Sequence, residues 1–172
     1  MKKVLTIVCA AIMGIASANA QAEKGDFAAG ANIVYGSEIK NMGVGVRFQY
    51  TPLDHVRAEL GMNYFFQKDY VNMWDINLNA EYLINVYNQR LYLYPIVGVS
   101  FAKASFDYDK FVKDHGMDTD ASKFDDKAFG LNLGAGAEYQ LTDHVGVTLE
   151  YRHSVMKDID QGVFGIGANY KF

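Results

Sequence analysis

Catalysis by a nucleophile and its base would require a histidine close to a serine, and the chain contains the neighbouring pair His153-Ser154. In an extended strand, adjacent side chains point to opposite faces, so these two side chains are not expected to share a hydrogen bond. Two other histidines follow an aspartate in short polar segments, Asp54-His55 and Asp143-His144, where turn formation explains both pairs. The sequence therefore predicts no catalytic residues.

Residues 103–127 form a long polar segment in which aspartates and lysines alternate with aromatic residues. Asp118 and Asp120 have the spacing that opens a calcium-binding loop, but the glycine and glutamate of an EF-hand do not follow. We therefore expect a solvated loop and predict neither a metal site nor a cofactor site. The mixture of charged and aromatic residues makes this segment the best candidate for contact with an extracellular partner.

A further set of charged residues occurs at alternate positions within otherwise apolar segments. Because side chains alternate across a strand, such residues share one face, and in a closed barrel that face lines the lumen. We expect the charges to neutralise one another as a polar network, with a gated ion path as the alternative. The predicted lumen residues are Arg47, Arg57, Glu59, Asp75, Glu81, Glu138, Glu150, Arg152 and Lys171.

Eight segments carry this alternation, at residues 27–35, 42–50, 58–66, 74–82, 91–101, 129–139, 145–151 and 162–172. Most are close to the roughly nine to eleven residues that a tilted transmembrane strand needs. Their second face is apolar and ends in aromatic residues, which predicts two girdles at the membrane surfaces. The predicted girdle residues are Tyr35, Tyr50, Tyr64, Trp74, Tyr82, Tyr139, Tyr151, Tyr170 and Phe172. The alternative is a soluble lipocalin-like barrel, which would turn its apolar face inward.

The amino-terminal residues support an exported protein. Lys2 and Lys3 precede an apolar run and an A-x-A motif, which predicts a signal peptide over residues 1–20, with an alternative cleavage site after residue 22. Lipid attachment at Cys9 is disfavoured, because that residue lies inside the apolar run. Residues 21–172 are then a single barrel domain. The formal net charge of −4 and the lack of a basic stripe argue against nucleic-acid binding.

The lengths of the links between segments predict an orientation. The links at residues 51–55, 85–90 and 142–144 are short, as periplasmic turns are, whereas residues 103–127 form the longest link. With an even number of strands, both ends of the mature chain are expected on the periplasmic side of the outer membrane. A barrel of about eight strands is filled by its own side chains, so we expect a closed polar lumen.

The sequence resembles the small eight-stranded outer-membrane β-barrels of Gram-negative bacteria, which include the outer membrane protein A and X barrels and the opacity-type barrels of the porin family. The motifs are G-A-G-A-E-Y-Q-L-T-D-H-V-G-V-T-L-E-Y-R at residues 134–152 and L-Y-P-I-V-G-V at residues 93–99. The resemblance implies an antiparallel up-and-down transmembrane barrel, contact with outer-membrane lipid and lipopolysaccharide, and assembly by the outer-membrane barrel machinery through the carboxyl-terminal strand ending in Phe172.

Three functions follow from this resemblance, since family members differ in what they do. A structural or surface-interaction barrel acting chiefly through residues 103–127 is favoured over a narrow porin-type transport barrel for ions or small solutes. A lipid A-modifying enzyme is disfavoured. Deacylase barrels use a histidine and a serine two positions apart, unlike His153-Ser154, and palmitoyltransferase barrels begin with a helix for which residues 21–26 are too short.

Overall fold

The computed structural model describes residues 24–68, 71–106, 124–156 and 160–172. Its regular elements are β-strands in which apolar and polar residues alternate, as a wall with two different faces requires. The strand bounds are β1 Phe27–Gly36, β2 Asn41–Leu53, β3 Val56–Lys68, β4 Val71–Tyr82, β5 Ile84–Tyr87, β6 Leu91–Phe106, β7 Phe124–Gln140, β8 Val145–Met156 and β9 Gln161–Lys171. The described ranges contain no helix long and apolar enough to cross a membrane.

The strands form one closed antiparallel sheet. Each strand pairs with the next along the chain, apart from a β4 to β6 pairing across the short strand β5, and β1 pairs with β9 in the register Ala31↔Ala168. Closure leaves no free sheet edge around the wall, so the backbone amides and carbonyls of the wall bond to one another. The predicted eight-stranded barrel is confirmed, with one additional short strand.

The additional strand results from an interruption in the fourth wall strand. β4 and β5 both pair with β6, and the pairs Glu81↔Ile96 and Ile84↔Leu93 belong to one continuous register. Continuing that register places Tyr82 opposite Pro95, and proline has no amide hydrogen to donate to the ladder. The amide of Leu83 instead donates to the carbonyl of His55, the residue before β3, 2.7 Å away.

The two faces of the wall differ as the alternation predicts. On β7, Leu133 is 57% exposed on the outer face, whereas the adjacent Asn132 is 0% exposed on the inner face. Large apolar side chains are exposed on the outside of every strand from β1 to β9. A soluble barrel would bury these residues, so this arrangement excludes the lipocalin-like alternative and matches a wall surrounded by lipid.

The two ends of the barrel are built differently. At one end, here called the short-turn end, tight links follow β2, β5 and β7, and both described chain termini bond to the wall. There the amide of Gly25 donates to Thr51 and the amide of Phe172 donates to Phe27. At the other end, here called the loop end, β6 and β7 continue to the pair Phe106↔Phe124. Residues 103–106 and 124–127, at the two ends of the segment predicted to be a loop, therefore belong to β6 and β7.

We expect Leu133→Arg to lower the free energy of unfolding by about 2–4 kcal/mol, because a cation would then face the middle of the lipid layer. Leu133→Phe is the matched control and should change stability little, since it exchanges one apolar side chain for another. Urea unfolding in lipid vesicles and heat-modifiability on gels measure both variants. Equal stability of the two variants would contradict an outward, lipid-facing position 133.

Candidate functional site

The lumen contains a layer of charged side chains contributed by strands on opposite walls. Arg47 on β2 is only 2% exposed, and its Nη1 atom contacts the carboxylates of Glu59 on β3 and Glu150 on β8. The amide nitrogen of Gln49 donates to the same Glu59 carboxylate at 2.9 Å. Arg47 therefore joins three strands through charge-assisted hydrogen bonds.

Arg57 on β3 occupies an equivalent bridging position. Its Nε atom lies 2.6 Å from Glu81 on β4, and its Nη1 atom lies 2.6 Å from Glu138 on β7. The guanidinium also lies over the ring of Tyr94, 4.9 Å from the ring centroid. Gly136, opposite Tyr94 on β7, leaves room for this ring, because a Cβ atom there would collide with it.

Tyr94 is a lumen residue that the sequence analysis did not identify. Its hydroxyl donates to Glu150 at 2.7 Å, so it connects the Arg57 group to the Arg47 group. Its alternation with the outward residues of β6 indicated an inward side chain. Tyrosine is frequent in the predicted girdles, however, so the residue type alone did not indicate a lumen position.

An amide layer lies beside the charged layer. Asp75 accepts hydrogen bonds from Asn63 at 2.7 Å and from Asn77 at 2.5 Å. Asn132 on β7, separated from β4 by β6 alone, donates to Asn77 and Asn79 and accepts from the hydroxyl of Ser154 at 2.7 Å. These bonds satisfy polar groups that are shielded from water, as a filled interior requires.

The remaining predicted lumen charges lie at the edges of these layers. Arg152 is 3.7 Å from Asp75, and Lys171 is 3.4 Å from Asp26 near the short-turn end, where both side chains are partly exposed. All nine predicted lumen residues thus line the inside of the wall, but Lys171 pairs at the rim, apart from the two arginine-centred groups.

The loop end of the lumen is closed by apolar side chains. Val34, Phe65, Met73, Ala102, Ala128, Met156 and Val163 form one buried cluster, and Ile39 from the link after β1 packs against it. Because these residues come from seven different strands, the cluster reaches around the interior; we call it the apolar septum. The sequence analysis predicted a polar lumen, and this prediction is wrong for the loop end. The septum residues occur where apolar side chains occupy both faces of the strand, as in Tyr64-Phe65-Phe66.

The short-turn end has a small polar cavity of about 40 Å³, here called the vestibule. Arg57, Glu138, Gln140, His144 and Lys171 are among its lining residues, and this volume is large enough for water molecules. Polar access to the charged layer is therefore located at the short-turn end.

A second apolar cluster, Leu83, Tyr92, Tyr94 and Ile96, lies on the β4–β6 side of the lumen.

The predicted girdle residues mostly lie exposed on the outer face. Tyr50 stacks on Phe27 at 4.5 Å between ring centroids, and Tyr151 packs on Phe164 at 4.6 Å. Tyr139 differs, because it is only 7% exposed. It has the outward parity, but its cross-strand neighbours Leu91 and Val147 flank it on both sides.

Two of the described histidines stack on tyrosine rings. His55 stacks on Tyr82 and His144 stacks on Tyr170, with ring centroids 6.3 and 5.7 Å apart. His153 and Ser154 lie on opposite faces of β8, as predicted: Ser154 is buried in the lumen, whereas His153 is half-buried on the outer wall. No nucleophile and base are brought together by these residues.

Several expectations fall outside the described residues. They are the signal peptide over residues 1–20 and the central part of the long link, residues 107–123. The same holds for residues 69–70 and 157–159 in the other links at the loop end.

Comparison with known proteins adds independent evidence. The model of the outer membrane protein beta-barrel domain family matches residues 6–172. Outer membrane protein X of Enterobacter cloacae is 22% identical over 180 residues, covering both chains fully. The amino-terminal barrel domain of Pseudomonas aeruginosa OprF has a TM-score of 0.69 at 17% identity, covering 87% of this chain and 98% of that domain.

The attachment invasion locus protein Ail of Yersinia pestis has a TM-score of 0.61 at 17% identity, covering 87% of this chain and 99% of Ail. Ail has also been solved in complex with the heparin analogue sucrose octasulfate. At these identities the structural likeness establishes the fold alone.

We expect Arg57→Ala to destabilise the barrel by about 3–5 kcal/mol, because two buried carboxylates would lose their shared partner. Lys171→Ala is the comparison variant and should cost at most about 1 kcal/mol, since its pair with Asp26 is partly exposed and screened by solvent. Urea unfolding of both variants in the same lipid gives the two values. If Lys171→Ala lowered the free energy of unfolding as much as Arg57→Ala, the result would contradict the dominant role of the buried charged layer.

Proposed function

Since the chain belongs to the outer membrane protein beta-barrel domain family, we propose that it is a sealed surface barrel that acts through its loop end. The loop end faces the exterior, and the short-turn end, with both ends of the mature chain, faces the periplasm. This orientation is supported by the contrast between the tight links at one end and the long β6–β7 extension at the other.

The observation that carries the proposal is the filled lumen. Arg47 and Arg57 cross the interior to strands on the far wall, and the apolar septum covers them at the loop end. Water is disfavoured between packed apolar side chains, so such a layer opposes the passage of ions. A sealed barrel must therefore act through its surfaces.

The extended β6–β7 ladder supports contact with a partner outside the membrane. β7 pairs with β6 from Phe124 onward, but its register with β8 begins only at Gly130↔Met156. Within the described ranges, residues 124–129 thus have a strand partner on one side only, and an open edge of this kind can accept an extended segment of another protein. The complex of Ail with sucrose octasulfate is consistent with surface binding in a similar fold.

Lipid and the assembly machinery are the further proposed partners. The exposed apolar wall and its aromatic pairs fit outer-membrane lipid, including lipopolysaccharide in the outer leaflet. Two exposed aromatic side chains stand at the end of this chain, Tyr170 in β9 and Phe172 directly after it, and their rings pack at 5.4 Å. We assign to this strand the recognition by the barrel assembly machinery.

The second candidate function is narrow transport, and the vestibule is the observation that favours it. This cavity extends the polar layer toward the proposed periplasmic side. If the septum moved aside, the polar side chains of the charged and amide layers alone would separate the two ends of the lumen. Lipid A modification has no comparable support. Ser154 is already hydrogen-bonded to Asn132, and His153 lies on the opposite face of the strand.

We predict that the purified protein gives at most small, rare conductance steps in planar bilayers, because side chains and the septum fill the lumen. Phe65→Ala with Met73→Ala should raise the frequency of such steps by thinning the septum. Leu60→Ala with Leu78→Ala, on the lipid face, is the control and should leave conductance unchanged. Large, stable open-channel currents from the wild-type protein would favour transport instead.

We also predict that replacing residues 113–122 with a short glycine-containing turn leaves folding intact, since shortening a surface loop changes chain entropy only slightly. Binding to host-cell surfaces or sulfated polysaccharide, measured for the wild type first, should fall. A variant with a Gly/Ser segment of the same length separates loop sequence from loop length. Full binding by both variants would contradict a role for this segment and would indicate that the binding site lies in the other links or at the edge of β7.

A further inference from the structure

The buried charges of the described residues do not balance. Five carboxyl groups face the lumen layers: Glu59, Asp75, Glu81, Glu138 and Glu150. The buried guanidinium groups are four: Arg47, Arg57, Arg90 and Arg152. The rim pair Lys171–Asp26 adds no net charge. One negative charge is therefore left over in a region where an uncompensated charge is costly.

The excess is concentrated where three carboxyl groups meet. One oxygen atom each from Glu59, Glu81 and Glu150 lies within 4.8 Å of the other two. Arg47 contacts Glu59 and Glu150, while Arg57 contacts Glu81 and is shared with Glu138. Two guanidinium groups thus serve four carboxyl groups in this part of the lumen.

Several buried polar atoms of the described residues have no hydrogen-bond partner, among them guanidinium nitrogens of Arg47, Arg57 and Arg152 and one carboxylate oxygen of this cluster. The Glu81 side chain is 0% exposed, and its Oε1 atom has no hydrogen-bond partner, although Oε2 accepts from Arg57. A buried carboxylate oxygen without a donor is costly, whereas a carboxylic acid at that atom would itself be a donor toward the neighbouring carboxylates.

We propose that the carboxyl cluster of Glu59, Glu81 and Glu150 holds one proton in the folded barrel, shared within the cluster and exchanged through the vestibule, which the orientation proposed above directs toward the periplasm. A proton needs only two oxygen atoms, whereas a calcium ion takes six or more oxygen ligands and would have to displace Arg47. The vestibule is lined by Arg57, which contacts Glu81, so water can reach the edge of the cluster from that side. Because the groups interact strongly, the proton belongs to the cluster as a whole.

Ionisable groups on five other strands of the wall surround the cluster or belong to it. They are Arg47 on β2, Arg57 and Glu59 on β3, Tyr94 on β6, Glu138 on β7, and Glu150 and Arg152 on β8. In the unfolded chain, glutamates are ionised above roughly pH 5. The folded state then binds one more proton than the unfolded state, so stability must fall as pH rises until the cluster releases its proton.

The test is urea unfolding of the barrel in lipid vesicles between about pH 6 and 9, for the wild type, Glu81→Gln and Glu81→Asp. The histidines contribute equally to the pH dependence of all three proteins. In addition to that contribution, the equilibrium constant for unfolding of the wild type should rise about tenfold per pH unit. Glu81→Gln removes the excess charge while keeping an acceptor for Arg57, so this rise should disappear. Glu81→Asp keeps the charge and should keep the rise.

An equal pH dependence in the wild type and Glu81→Gln would overturn the proposal. Infrared spectroscopy of the folded wild type provides a readout that does not depend on variants folding. The proposal requires the carbonyl band of a protonated carboxyl group at neutral pH, shifted in heavy water. Absence of that band would also overturn it.

Discussion

The pairing of buried charges across the lumen is the interaction on which the rest of this barrel depends. Closing the sheet pairs the backbone amides and carbonyls of its edge strands, but it also encloses the long polar side chains of the inner face. Removing such groups from water costs several kcal/mol each unless a partner of opposite charge is within reach. Arg47 and Arg57 meet this need by reaching strands that are not their neighbours in the sheet, and these contacts tie the walls together.

The distribution of polar and apolar layers explains how one lumen can be both filled and asymmetric. The charged and amide layers occupy its middle, the septum closes the loop end, and the vestibule hydrates the short-turn end. Such a lumen opposes the passage of ions, and we propose that the outer wall and the extended β6–β7 ladder are the surfaces that meet other molecules.

The strand alternation was sufficient to predict the closed wall, its two faces and the inward position of residues such as Glu59 and Arg152, because parity is a local property of the chain. It did not predict the break opposite Pro95, which depends on the register between β4 and β6. The partners of Arg57 were equally inaccessible, since strand tilt decides which side chains meet across a barrel. The septum was missed because the polar residues at most inward positions defined the predicted lumen, and the apolar residues at the remaining inward positions, such as Val34 and Phe65, were not considered.

A double-mutant cycle on Arg57 and Glu138 tests most directly whether the walls are held together across the lumen. The two residues lie on β3 and β7, and their side chains are 2.6 Å apart. Unfolding free energies of Arg57→Gln, Glu138→Gln and the double variant should show a coupling of more than about 1 kcal/mol. Single-variant effects that add to within about 0.5 kcal/mol would contradict this account.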